Sequence, residues 1–191
     1  MPRYVALLRA INVGGHVVKM DALRDHFGAL GFTEVATVIA SGNVLFTAFG
    51  AGATRPAALE RAIARSLEDA LGYAVGTFIR TPAQMAAAAA HEPFGALAAG
   101  DTRYVGFVSA PLDAAGRRAL AGFNTDVDNF AAHAGEVHWR CRVRSSDSAF
   151  NLKKFEKAIG QASTFRNVTT VRKLAALLVP APAVPDRLRR K

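Results

Sequence analysis

Cysteine is all but absent: Cys141 is the only one in 191 residues. That excludes an internal disulfide framework and a four-cysteine zinc site, and it fits a reducing cytosol. No charged segment followed by an apolar run opens the sequence, and the alanine run at 86–90 is far too short to span a bilayer. A cytoplasmic protein without membrane association is expected. Acidic residues thin out toward the C-terminus. Residues 1–136 hold 11 basic and 12 acidic side chains, whereas 137–191 hold 13 and 3, so the net charge of +9 comes entirely from the C-terminal part. Such a field attracts polyanions and anionic ligands, although a basic stretch is often only a solvated surface. Apolar material is plentiful: 51% of residues are hydrophobic, ample for the core of one domain or of two small ones.

The hydrophobic periodicity predicts an ordered series of elements. Tyr4 to Ile11 reads as a strand, and Met20, Leu23, Phe27 and Leu30 follow at helical spacing with Gly31 as the stop. Residues 34–40 and 44–49 read as strands joined by Ser41, Gly42 and Asn43, a hairpin signature. Thr54 is placed to cap a helix with Pro56 in its first turn and Leu59, Ile63, Leu67 and Leu71 on its buried face; Gly72 ends it, and Ala74 to Arg80 forms a fourth strand. This β-α-β-β-α-β order is the split βαβ arrangement of ferredoxin-like domains. A similar cycle restarts with a strand at 104–109, a short helix at 112–120, a hairpin of 127–132 with 137–143 around Gly135, and helices marked by Leu152, Phe155, Ile159 and by Val171, Leu174, Leu178. Residues 82–102 read as a helical linker between halves 1–81 and 103–179, and the Pro-rich basic tail at 180–191 reads as extended or disordered.

In a split βαβ unit the first two strands run the same way. The turn Asn12-Val13-Gly14-Gly15 and the hairpin Ser41-Gly42-Asn43 should therefore be neighbours. Backbone N–H groups in a Gly-rich turn ahead of a helix can hold an anion, with Lys19, Ser41 and Asn43 as added donors. The pattern is neither a P-loop nor G-x-G-x-x-G, and two ordinary turns using Gly for positive φ is the plainer reading.

The segments YVALLRAINVGG, KMDALRDHFGALGF, IASGNVLF and RNVTTVRKLAALL, in that order, resemble the bacterial family catalogued as domain of unknown function 1697, over roughly residues 3–178. The resemblance implies a two-lobed α+β fold and brings no established reaction. Its motif residues fall on Arg9, Asn12, Gly14, Gly15, Lys19, Ser41, Gly42, Asn43, Arg166, Asn167 and Lys173. Ala10 stands in place of the family's usual Gly, Val168 and Thr169 in place of Trp-Asn, and Ala149 where a Lys is common.

The stretch EVHWRCRVR at 136–144 alternates apolar residues with His138, Arg140, Arg142 and Arg144, which reads as a half-buried strand. Alternate residues lie roughly 6.5–7 Å apart, so the three arginines could track a nucleic-acid backbone. The alternative is a solvent-facing strand, or arginines paired with Asp126 and Asp128 across the hairpin, which requires an odd-length loop at Gly135. Lys153, Lys154 and Lys157 lie off the apolar stripe of their helix and either widen a basic surface or are simply solvated. Asn167 is a good N-cap, with Arg166 beside it.

Catalytic constellations are missing. There is no G-x-S-x-G elbow and no H-E-x-x-H, the five histidines at 16, 26, 91, 133 and 138 have no metal-ligand spacing, and Cys141 sits on an apolar strand face. No cofactor and no metal are indicated. The expected architecture is α+β, two ferredoxin-like halves with antiparallel sheets, a helical linker and C-terminal helices. The leading functional expectation is a non-catalytic module binding a phosphate-bearing partner, nucleic acid first. The alternatives are an enzyme or sensor for a small anionic metabolite or nucleotide at the Gly14-Gly15 and Ser41–Asn43 edge, and a structural or oligomeric partner protein.

Overall fold

The computed structural model describes residues 1–12, 15, 17–39, 42–50 and 53–179. Its first lobe runs β1 (Arg3–Arg9), α1 (Met20–Ala29), β2 (Thr33–Thr37), β3 (Asn43–Thr47), α2 (Pro56–Leu71) and β4 (Gly76–Arg80). After α3 (Pro82–Ala90) the second lobe repeats the order with β5 (Thr102–Val108), α4 (Ala114–Ala121), β6 (Asp128–His133), β7 (Glu136–Cys141), α5 (Leu152–Ile159) and β8 (Ser163–Asn167), and α6 (Val168–Leu178) follows. The sheets have strand orders β2-β3-β1-β4 and β6-β7-β5-β8, antiparallel at every pairing. These are two ferredoxin-like halves. Among the described residues no helix is long and apolar enough to cross a membrane.

A single split βαβ unit covers one sheet face with its two helices and leaves the other bare. Here the bare faces look toward each other. Tyr4, Ala6 and Leu8 of β1 point to Leu23 and Phe27 of α1 and to Leu59, Ile63 and Leu67 of α2. Val5 and Leu7, on the opposite face, pack with Met85 of α3, Val171, Leu174 and Leu178 of α6, and Val105 and Phe107 of β5. The far side of the second sheet holds Val137, Trp139, Cys141 and Phe130 against Leu120, Phe155 and Ile159 of α4 and α5. The layers run helix, sheet, helix, sheet, helix. Because β1 is covered on both faces, it is apolar along its length rather than alternating.

Local chemistry departs from the expected pattern in three places. The N-cap of α2 is Arg55 rather than Thr54, and no side chain caps it. α3 opens on a capping box between Thr81 and Gln84 and adds Met85 and Ala88 to the central core, so it is a packed layer as well as a connection. The strand β8 was not anticipated. It pairs with β5 and completes the second sheet, and Asn167 then caps α6 through a 2.8 Å bond from the Thr169 N–H. The Pro-rich tail expected at 180–191 lies outside the described residues.

The β6–β7 turn consists of Ala134 (φ 48°) and Gly135 (φ 95°), both left-handed, as a two-residue hairpin with native twist requires. This sets the register: Asn129 faces Arg140 and Asp128 faces Cys141.

Candidate functional site

The chain leaves β1 through Ala10, whose φ of 61° is left-handed, and Ile11, whose carbonyl accepts the Tyr73 hydroxyl at 3.0 Å. The Asn12 side-chain oxygen accepts the Val18 N–H at 2.7 Å, drawing the turn back toward α1. The β2–β3 hairpin sits directly against this turn. Leu8 N–H donates to the Gly42 carbonyl at 2.7 Å, and a Cβ at Gly42 would lie 2.7 Å from Ile11 Cγ2 while its φ is +75°. Gly42 is thus required twice, by backbone conformation and by close approach. Gly15 is exposed with φ +89° and open space around it, and Lys19 is exposed at the N-cap position of α1. Gly14 and Ser41 lie outside the described residues.

Two of the sequence candidates serve the junction between the lobes. Arg166 is 8% exposed. Its Nε donates to the Asn43 Oδ1 at 2.7 Å, Nη2 to the Leu8 carbonyl at 2.8 Å, and Nη1 to Thr164 Oγ1 and the Phe165 carbonyl. Burial lowers its pKa to about 10, so it stays charged at neutral pH. Asn43 is fully buried, and its Nδ2 donates to the Val38 carbonyl at 2.8 Å. These side chains are engaged with the protein itself. Lys173 is exposed on α6 and makes no ion pair among the described residues.

Arg9, the last residue of β1, reaches across to the second lobe. Its Nη2 meets Glu156 Oε2 of α5 at 2.7 Å, while Glu156 Oε1 accepts the Ser163 N–H and hydroxyl. Beside this pair opens a groove of about 750 Å³ lined by Arg9, Ala10, Phe150, Asn151, Leu152, Lys153, Ser163, Thr164 and Phe165. Asn151 is the N-cap of α5, bonded to the Lys154 N–H, so the first turn of that helix borders the groove. Two cations, a helix N-terminus, two hydroxyls and an aromatic wall therefore line one concavity. That combination suits a ligand with an anionic group and an apolar body.

The basic strand is shorter than expected. β7 ends at Cys141, so Arg142 and Arg144 lie beyond it and are exposed, and the three arginines do not stand on one ribbon. Arg140 donates to the Asn129 side chain at 2.6 Å, and Arg142 to the Asp126 backbone carbonyl at 2.8 Å. The two-residue turn carries Asp128 to the opposite face, where its carboxylate accepts Trp139 Nε1 and the Ser148 hydroxyl. Lys153, Lys154 and Lys157 are exposed on α5, off its buried Phe155 and Ile159.

Two clusters escaped the sequence reading. Arg80 and Glu136, 6% and 5% exposed, form a 2.9 Å ion pair between the lobes, and Arg80 Nη2 also donates to the Val108 carbonyl at 2.7 Å. Burial pushes the Glu136 carboxyl up, opposed by the Arg80 hydrogen bond and charge. His91, His133 and His138 meet although no spacing links them: His91 stacks on His133 at 3.8 Å and meets His138 edge-on at 4.8 Å. Arg103 and Arg140 border the group, which makes it a poor place for a cation. The alternation in β7, which separates His138 and Arg140 from Trp139, was the available signal; what covers that face was not.

Cys141 is fully buried, its thiol donates to the Val143 carbonyl at 3.2 Å, and burial raises its pKa.

No match was found among curated proteins. Among solved structures, a conserved bacterial protein, SP0830 from Streptococcus pneumoniae, superposes with a TM-score of 0.68 at 20% identity, over 93% of this chain and 98% of that one. At that identity the likeness is one of fold. Residues 1–138, which contain the whole first lobe, the turn after β1 and the hairpin beside it, match the family described as protein of unknown function (DUF1697), and the chain belongs to that family.

Proposed function

We propose that the protein binds a small phosphate- or carboxylate-bearing ligand in the groove between its lobes. The supporting observation is the convergence of Arg9, Lys153 and the first turn of α5 on one concavity bordered by Ser163, Thr164 and Phe165. Charge-assisted contacts from Arg9 and Lys153 would hold the anionic group, and Phe165 with Phe150 would cover an apolar or heterocyclic body. Ala10 (φ 61°) and Ile39 (φ 60°) both sit in the left-handed region at this end of the first sheet, where backbone strain of the kind that gathers at ligand sites is stored. Nucleic acid is the second reading. It is favoured by exposed Lys153, Lys154 and Lys157 on the helix that borders the groove, whereas Arg166 is committed to the lobe junction and Arg140 stands opposite buried Arg103 in its sheet.

A thermal-shift screen of nucleotides, sugar phosphates and dicarboxylates separates the two. A groove ligand raises Tm in a compound-specific way, and Arg9→Ala with Lys153→Ala abolishes the rise. Retention on single-stranded nucleic acid at low salt, lost in a Lys153→Glu, Lys154→Glu, Lys157→Glu variant with no compound-specific shift, would favour the second reading over the first.

A further inference from the structure

The inner face of the second sheet carries more positive charge than its visible partners answer. Arg103 of β5 and Arg140 of β7 are directly opposite each other in the ladder. Like charges in that relationship repel. Arg103 is 2% exposed, yet among the described residues its one ionic contact is a 3.5 Å approach of Nη1 to Glu92, whose carboxylate is half exposed and also pairs with Arg172 at 2.9 Å. Among the described residues, Arg103 Nε and Nη2 have no partner. Arg140 Nε is likewise buried and unpartnered, although Nη2 reaches Asn129 and the guanidinium lies 5.4 Å from the centre of the Phe94 ring. In the next row of the same face, fully buried His138 has no hydrogen-bond partner on either ring nitrogen among the described residues.

A buried donor without an acceptor is costly, more so when charged, and native proteins resolve such groups with water or an ion. Water offers lone pairs but does nothing for two guanidiniums held opposite each other. Arg103 and Arg172 share one carboxylate, Glu92, and Arg140 makes no ion pair among the described residues. The surplus is two positive charges, which a dianionic tetrahedral oxyanion matches, and guanidiniums bind such groups through paired N–H donors.

We infer that the face formed by Arg103, Arg140 and His138 beneath His91 and Phe94 is a binding site for a phosphate group. It shares no lining residue with the groove at Arg9 and does not depend on it. Glu92 and Arg172 form its exposed rim. Residues 91–101, which join α3 to β5, carry the cover.

Equilibrium dialysis of the full-length protein with labelled inorganic phosphate at low ionic strength tests this, with acetate and chloride as competitors. Saturable binding is expected. It should be weakened about tenfold or more by Arg103→Met, which removes charge-assisted bonds, and changed less than about twofold by Arg65→Ala, which removes an exposed charge on α2. Arg140→Gln serves as a second variant should Arg103→Met fail to fold. On the wild-type protein, phosphate should also shift the His138 imidazole resonances. Binding lost in Arg9→Ala but kept in Arg103→Met places the anion in the groove and overturns the inference. So does the absence of saturable binding, or equal competition by acetate and chloride at matched ionic strength.

Discussion

Arg166 and Asn43, 123 residues apart, are joined by a 2.7 Å hydrogen bond from Nε to the side-chain oxygen. The bond couples the last strand of the second sheet to the first residue of β3. The same guanidinium donates to the Leu8 carbonyl on β1, so one buried side chain ties the second lobe to two adjacent strands of the first. Replacing it with an apolar residue strands Asn43 Oδ1 and the Leu8 carbonyl away from water. Arg166→Leu is expected to cost about 3–5 kcal/mol, measured by urea denaturation. Arg166→Lys should recover little of it, because an ammonium lacks the planar fork that meets four acceptors here. Wild-type stability in Arg166→Leu would remove the junction role.

Arg80 and Glu136 make the second polar tie. Deleting one partner of a buried pair leaves the other charge uncompensated, at a cost of about 3–5 kcal/mol, whereas replacing both with apolar groups is often close to neutral. Arg80→Met should therefore be far less stable than the Arg80→Met, Glu136→Leu double variant. The single variant also has a predicted pH signature. Burial already raises the Glu136 carboxyl, and removing Arg80 deletes the force that lowers it. A carboxyl raised in the fold destabilises above its folded pKa and is relieved as pH falls through it. The deficit of Arg80→Met should thus be smaller at pH 5 than at pH 7.

Much of this architecture is legible in the residues. The first β-α-β-β-α-β cycle, and the second as far as α5, follow from alternation, helical spacing and glycine stops, and strand direction alone brings the β2–β3 hairpin to the end of the sheet where the chain leaves β1. The continuous apolar run of β1 signals a strand covered on both sides. β8 was not legible because its inward positions are polar. Thr164 and Arg166 face the lobe junction, so STFRN lacks an apolar face of the usual kind. The candidate site divides similarly. Arg9 was identified from the family resemblance, but its partner Glu156 and the groove between them depend on how the two lobes dock. The histidine cluster arises from α3, β6 and β7 converging, which linear spacing cannot report.

Ala10 offers a simpler test. Its φ of 61° lies where a Cβ is disfavoured. Ala10→Gly removes the Cβ clash and should stabilise by about 1 kcal/mol despite the added freedom of the unfolded chain. For a chain of this size that raises Tm by roughly 2–4 °C. A lower Tm would mean that the Ala10 methyl contributes packing in the groove that outweighs its strain.

His138 predicts how the protein responds to acid. It is fully buried, and burial, followed by His91, Arg103 and His133 nearby, holds its pKa at about 3 against an ordinary 6.5. His91 is lowered too, by burial first and then by His133 and Arg103. Above pH 6.5 His138 is neutral in both folded and unfolded chains and does not affect the balance. Below that value the unfolded chain takes up a proton that the folded chain refuses, so stability falls by about 1.4 kcal/mol per pH unit until the folded histidine itself titrates. His138→Leu keeps an apolar side chain against Val105 and Ala131, its ladder neighbours, and removes the titrating group. Urea denaturation between pH 7 and pH 4 should show a slope shallower by about 1 kcal/mol per pH unit in this variant than in the wild type. His91 accounts for part of the slope that remains. Parallel curves for the two proteins would mean that His138 gains a proton in the fold as readily as outside it. The cluster would then hold an acceptor or an anion strong enough to cancel the cost of burial.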